Sequence, residues 1–319
     1  PAPPKMPSNI WRVADRRHFA RNEMRLASEQ KNPRILVFAP HYHTSITWVF
    51  RLKRLSFSPI QDLAHSLVPL FLFILIWQGT ATLVTVIRGV PFPDPLSTLD
   101  QLAALLGGQQ LSAHSLYRHI FDSLIRWMIG FAIAAVVGVV YGLAAGWYRL
   151  LEGATLGIVY VLQLIPGLAW IPVAILIFGI GESATVFMIV MTALPPVAIS
   201  VCTGVKRLDA NYFRAAQMMG ADRKTLFLRV LLPGALPSII SGLRIGLGNG
   251  WRVLVAAEMI VGTGTGLGYS IIQSRWTLDY RSAFACVCVI CLIGLIVERM
   301  VFKPLEKRTV DRWALDRRQ

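Results

Sequence analysis

Charge is scarce in this chain. Asp, Glu, Lys and Arg make up 15% of its 319 residues, against about 25% in ordinary soluble domains. Acid is scarcer than base, 17 residues against 32, which leaves a formal charge of +15. Cysteine numbers four: Cys286, Cys288 and Cys291 scatter around one helix, and Cys202 stands alone. That spacing gives neither a zinc site nor a disulfide framework, so each reads as a small apolar packing residue. His41 and His43 have no neighbours at metal-ligand spacing, and no metal site is expected. No G-x-x-x-x-G-K-[ST] occurs, which excludes a P-loop for nucleotide phosphates. The glycines of "GTGTGLGYS" (262–270) precede no lysine and read as a turn outside the cell. No Ser/His/Asp set converges on one side of a membrane, and nothing reads as catalytic.

What the chain has in excess is apolar sequence, 55% by residue. Runs of about 18 or more such residues are long enough to cross a bilayer as helix. Six occur, near 62–87, 119–145, 154–180, 183–204, 236–261 and 281–302. Their prolines and glycines are tolerable where neighbouring helices satisfy the freed backbone. The segment 89–115 between the first two reads as an aqueous loop. The expected fold is all-α and polytopic, with a transmembrane domain over 61–303. Residues 1–60 hold no apolar stretch bounded by a small-residue cleavage site, so a cleavable signal peptide is not expected.

Lys and Arg set the orientation. With six spans, 24 of the 32 fall on one side, in 1–54, 146–153, 206–229 and 303–319. The positive-inside rule then puts both termini and the 205–232 segment in the cytoplasm. This distribution follows membrane topology and argues against nucleic acid as the reason for the positive charge. Residues 1–60 read as a solvated basic tail, with "WRVADRRHFARNEMRLASEQ" able to lie on anionic lipid as an amphipathic helix. Residues 304–319 form a second basic tail.

The segment "RAAQMMGADRKTLFLRVLLPGALPS" (214–238) lies before the fifth span. Tyr212, Ala215, Ala216 and Met219 fall at offsets that share one helix face. Gly220 can end that helix in a left-handed conformation, and Asp222 can cap the next. Arg223 and Lys224 sit in that next helix's first turn, where the dipole disfavours cations, so local stability does not explain them.

The order Ala215-Ala216, three residues, Gly220, nine residues, Val230, one residue, Leu232-Pro233 resembles the cytoplasmic signature of binding-protein-dependent ABC importer permeases, E-A-A-x3-G-x9-I-x-L-P. Arg214 stands where the family has glutamate. Similar stretches run through roughly 60–315, including "IPGLAWIPVAILIFGIGESATVF" and "VAAEMIVGTGTGLGYSI", and lean toward the nitrate/sulfonate/taurine/bicarbonate branch, with "FGIGESA" favouring aliphatic sulfonate members. The resemblance implies a type I importer permease in a bacterial inner membrane. It also implies a coupling helix around Tyr212, Arg214–Ala216 and Met219–Lys224, including Ala221, docked on an ATPase subunit. Two ATPase subunits, which bind the ATP and Mg, a second permease copy and a periplasmic or lipid-anchored solute-binding protein would complete it. This chain itself would bind no cofactor. An ion-coupled secondary transporter or a polytopic membrane enzyme is the alternative; the former would show internal repeats, which are not evident.

Pathway candidates come from intramembrane polarity. Arg244, Gly248, Trp251, Val255 and Glu258 lie within about 40° of one line along the fifth span. Such a stripe faces a bundle interior or water rather than lipid. Arg244 and Glu258 are roughly 21 Å apart along the axis, too far to pair. Arg252 lies some 80° off that line at mid-span. It is a candidate for attracting an anion, with Glu258 of a second copy as its alternative partner. Gln163, Pro166 and Trp170 share spacing for one face of the third span, and Pro166 can kink it. Glu182 and Ser183 read as the N-terminal cap of the fourth span.

Overall fold

The computed structural model describes residues 59–302 other than Thr263, together with Pro304. Both basic tails therefore lie essentially outside the described residues. Two compact units divide the chain, Pro1–Ser66 and Leu67–Gln319, and the features below belong to the second.

The described elements are α1 (Pro59–Arg88), which starts before the second unit, α2 (Pro95–Leu106), β1 (Gln110–Leu111), β2 (His114–Ser115), α3 (Leu116–Trp147) and α4 (Arg149–Leu164). A 3-10 turn, Gly167–Trp170, leads to α5 (Ile171–Phe178) and α6 (Glu182–Lys206). The short α7 (Ala210–Met218) is followed by α8, a continuous rod over Arg223–Val261. The rod's Leu226–Leu231 portion is π-helical. Then come α9 (Leu267–Trp276) and α10 (Tyr280–Val297). The two strands form a small antiparallel pair.

Among the described residues, five helices are long and apolar enough to cross a membrane: Val68–Arg88, Leu116–Trp147, Glu182–Lys206, Arg223–Val261 and Tyr280–Met300. A sixth crossing exists if α4 and α5 count as one. The sequence suggested a third span over 154–180 that Pro166 could kink; the structure bends α4 against the Gly167–Phe178 helix by 104°. The cause is local. Proline disfavours helical geometry in the residue before it, and Ile165 is extended at φ −75°, ψ 119°. Pro195 and Pro196, by contrast, lie buried inside α6 without ending it. The 89–115 segment is also more than an aqueous loop. Asp94 caps α2 through Ser97 N, Thr98 and Leu105 are buried, and Gln101 donates to Ser282 at 2.9 Å.

Small residues bring the central helices together. A Cβ added to Gly130, Gly138 or Gly142 of α3 would lie 2.8, 3.0 or 2.7 Å from Ile189, Val197 or Ala198 O of α6. Across the other face of α6, a Cβ on Gly242 or Gly246 of α8 would come within 2.7 Å of Ser200 or Val197. Such stripes are how helices approach in lipid, where association depends on close packing rather than the hydrophobic effect. Gly142→Leu is expected to destabilise the α3–α6 pair by about 1–3 kcal/mol, because a backbone carbonyl blocks the site. Thermal unfolding of detergent-solubilised protein measures this, and an unchanged midpoint would contradict the close approach.

Candidate functional site

α7 is a small platform at one end of the bundle. Asp209 caps it by accepting from Asn211 N at 2.9 Å. Its end is built from two bonds, Gly220 N to Gln217 O and Ala221 N to Ala216 O. That pair is a Schellman closure, which needs a left-handed residue at its turn; Gly220 has φ +82°. Ala216 is buried, and half-buried Phe213 packs against Trp147 at a ring distance of 6.1 Å. Tyr212, Arg214, Ala215, Met218 and Met219 face outward. The sequence grouped Tyr212, Ala215, Ala216 and Met219 on one face; the structure splits them, because Phe213 and Ala216 form the inward edge. The outward face mixes polar Asn211, Arg214 and Gln217 with large apolar side chains, Tyr212, Met218 and Met219 being 66, 84 and 82% exposed.

Asp222 caps α8 by accepting from Thr225 N at 3.1 Å. Hydrogen bonding from Thr225 holds its carboxyl below the ordinary aspartate value. Arg223 and Lys224 are exposed, and the α8 face below them packs through Leu226 and Leu231.

A second constellation occupies the opposite end. Glu258 is 1% exposed. Its carboxylate accepts from Arg126 Nη1 at 3.0 Å, Gly268 N at 3.0 Å and Ser123 Oγ, which lies 2.8 and 2.9 Å from its two oxygens. Arg126 also donates to Glu182 at 3.1 Å and to the Thr265 carbonyl and hydroxyl at 3.0 and 2.8 Å. Ser123 Oγ in turn accepts from Leu267 N. His119 Nδ1 accepts from Gly266 N at 3.0 Å, leaving Nε2 to donate to Leu111 O. Burying charge is tolerable when it is paired and its remaining valences are filled, and this clasp fills them. Its glycines leave no spare room: a Cβ on Gly266, at φ +119°, would lie 2.5–2.6 Å from the Glu258 carboxyl group.

The clasp was not anticipated. Glu182 does not cap α6, whose cap position is Gly181; it engages Arg126. Glu258 pairs within its own chain, which removes it as the partner proposed for Arg252 from a second copy. Arg244 does pair elsewhere, with Glu298, and it lines a small cavity with Gly248, Trp251 and Trp127. Trp127 ties α3 to α8 by donating to Leu247 O at 3.2 Å and packing on Trp251 at 4.7 Å.

Gln163, Pro166 and Trp170 do not share a helix face, since α4 ends at Leu164. Gln163 and Pro166 are exposed at the bend, while Trp170 packs edge-on against Phe187. The bend sits against mid-bundle: a Cβ on Gly167 would meet Val253 of α8 and Thr192 of α6. Arg252, next to Val253, lies on the exposed side of α8 and reaches Asn249 at 3.4 Å.

A glycine-packed helical bundle with five membrane-length helices, a 104° bend between α4 and α5 and an amphipathic helix at one end is the architecture of a multi-pass membrane protein. The family model for the binding-protein-dependent transport system inner membrane component matches residues 134–303. The chain belongs to that family of ABC importer permeases. The taurine transport system permease protein TauC of Escherichia coli is 35% identical over 76% of this chain and 87% of its own. The nitrate import permease protein NrtB of Synechocystis is 31% identical over 77% and 90%. The bicarbonate transport system permease protein CmpB of Synechococcus elongatus is 30% identical over 72% and 83%. A chain of the inward-facing MetNI methionine ABC transporter matches at TM-score 0.50 and 21% identity, covering 60% of this chain and 95% of that one; it shares the fold.

Proposed function

We propose that this chain is the membrane-spanning subunit of an ATP-driven importer of a small anion of the taurine, sulfonate, nitrate or bicarbonate type. The observation that carries this reading is the α7 platform, which exposes Tyr212, Met218 and Met219 and is seated on buried Ala216, in a chain 35% identical to a taurine permease. Two ATPase subunits, binding ATP and Mg, would dock on Tyr212, Arg214, Ala215 and the Met219–Asp222 turn from the cytoplasm, with Arg223 and Lys224 at the margin of that surface. Arg214 replaces an acidic residue with a basic one there, which calls for an acidic contact on the ATPase. The basic distribution supports cytoplasmic termini. A second copy of the chain would close the pathway, and a solute-binding protein would deliver the anion at the clasp end.

Arg252 is the residue best placed to meet that anion. It sits at mid-span on an exposed side of α8, and an intramembrane cation avoids lipid. A pathway between two copies offers it water and a negative partner. Reconstitution with the ATPase and binding protein tests both ideas. Nucleotide-dependent taurine or nitrate uptake is expected in the complete system and absent without ATPase. Arg252→Met should cut uptake about tenfold or more while assembly persists. Unchanged uptake across anion concentrations would remove Arg252 from the pathway, and uptake without the ATPase would overturn the importer reading.

A further inference from the structure

Arg223 and Lys224 remain unexplained by the fold. They stand at the start of α8, where the positive end of the helix dipole repels them. Among the described residues neither has an ion pair, and the adjacent Asp222 carboxylate is engaged by Thr225. Both line a cavity of about 1050 Å³ between the last turns of α3 and the first turns of α8. The rest of its wall is Val140, Leu143, Ala144, Trp147, Tyr148, Phe227 and Leu228.

The wall is divided by chemistry. Two cations and the Tyr148 ring occupy one end, while Val140 and Leu228, 63 and 49% exposed, mark the apolar side. That side continues along α3 through exposed Val136 and Val137. An aqueous anion would have no use for such a slope, and a purely apolar occupant would leave two cations idle. A molecule with an anionic head and an apolar tail satisfies both parts. Tyrosine and tryptophan belong at the level where headgroup meets acyl chain, and basic clusters beside spans attract anionic lipid.

We infer that this cavity holds the headgroup and upper acyl chain of an anionic phospholipid, with Arg223 and Lys224 on the phosphate. The site rests on the importer reading only for the leaflet that supplies the lipid. Because α8 begins at these two residues and α7 ends at Met218, five residues before Arg223, a bound lipid would brace the root of the platform.

The test uses purified full-length chain, delipidated and titrated with phosphatidylglycerol or phosphatidylcholine in mixed micelles, with binding read by native mass spectrometry. Phosphatidylglycerol should bind preferentially. Arg223→Gln with Lys224→Gln should weaken it roughly 30-fold, from about 1 kcal/mol per cation. Arg229→Gln, an exposed cation outside the cavity, should leave it unchanged. Ala144→Trp, which fills the apolar side, should lower retention without altering charge. Equal binding of the two lipids, or equal losses from Arg229→Gln and the double variant, would overturn the site. So would inorganic phosphate displacing the lipid at millimolar concentration, which would mark a free-anion site. Saturation of the cavity by the ATPase subunit, with no lipid retained in the complex, would assign it to that partner instead. Lipid binding requires no transport, so its failure and the failure of the importer reading are separate results.

Discussion

Arg126→Met should destabilise the bundle more than Arg126→Met combined with Glu258→Gln. The single change leaves a carboxylate at 1% exposure without its cation, and breaking a buried pair from one side costs about 3–5 kcal/mol. Ser123 Oγ and Gly268 N still hold Glu258, so the residual anion is solvated but not neutralised. Removing the charge with glutamine keeps an acceptor for Gly268 N and relieves the unpaired anion, which predicts partial recovery in the double variant. Glu258→Gln alone leaves Arg126 its bonds to Glu182 and Thr265 and should be the mildest of the three. Thermal unfolding in detergent measures the cycle. A double variant no more stable than Arg126→Met would show that the two side chains do not act as a pair.

The second large effect belongs to Gly220. A Cβ there meets nothing within 4 Å, so the requirement is one of backbone conformation, not space. Gly220→Ala should cost about 1–2 kcal/mol of local stability. Gly220→Pro is worse on two counts: its φ is locked near −65° against the +82° present, and it deletes the bond to Gln217 O. The α7 platform should lose its end while the membrane helices persist. In a reconstituted complex, ATP-driven uptake should fall about tenfold or more, with insertion and bundle melting little changed. A charge at buried Ala216 should do the same by displacing the inward edge. Uptake at the parent level from Gly220→Pro would mean that force does not pass through this turn.

The α7 closure was legible because its determinants are local: Gly220 turns and Asp222 caps the next helix two residues on; the Asp209 cap at the other end of α7 came from the structure. Pro166 announced a disturbance in the third crossing, but its 104° size depends on Gly167 fitting against Val253 and Thr192, which are remote in sequence. The clasp was hidden for a similar reason. Arg126 and Glu258 are 132 residues apart, and periodicity within one helix cannot bring two helices into register. A signal did exist. An arginine and a glutamate within apolar runs require partners, and the glycine alternation in "GTGTGLG" is what a loop wrapped on a carboxylate needs. Tyr212 and Ala216 show the converse limit, since helical spacing groups residues without saying which edge the neighbours cover.

The glycine contacts joining α3, α6 and α8 bear on how motion travels. Rods whose backbones touch cannot slide past one another without collisions, and the clasp fastens them again at one extremity. Under the proposed docking, a shove on α7 would therefore arrive as tilt of a stiff beam rather than as compression. The 30 residues of Leu232–Val261 extend about 45 Å, so pivoting by about 5° around the middle swings each extremity by about 2 Å. The 104° bend between α4 and α5 is the one place among these elements where the rod is already interrupted.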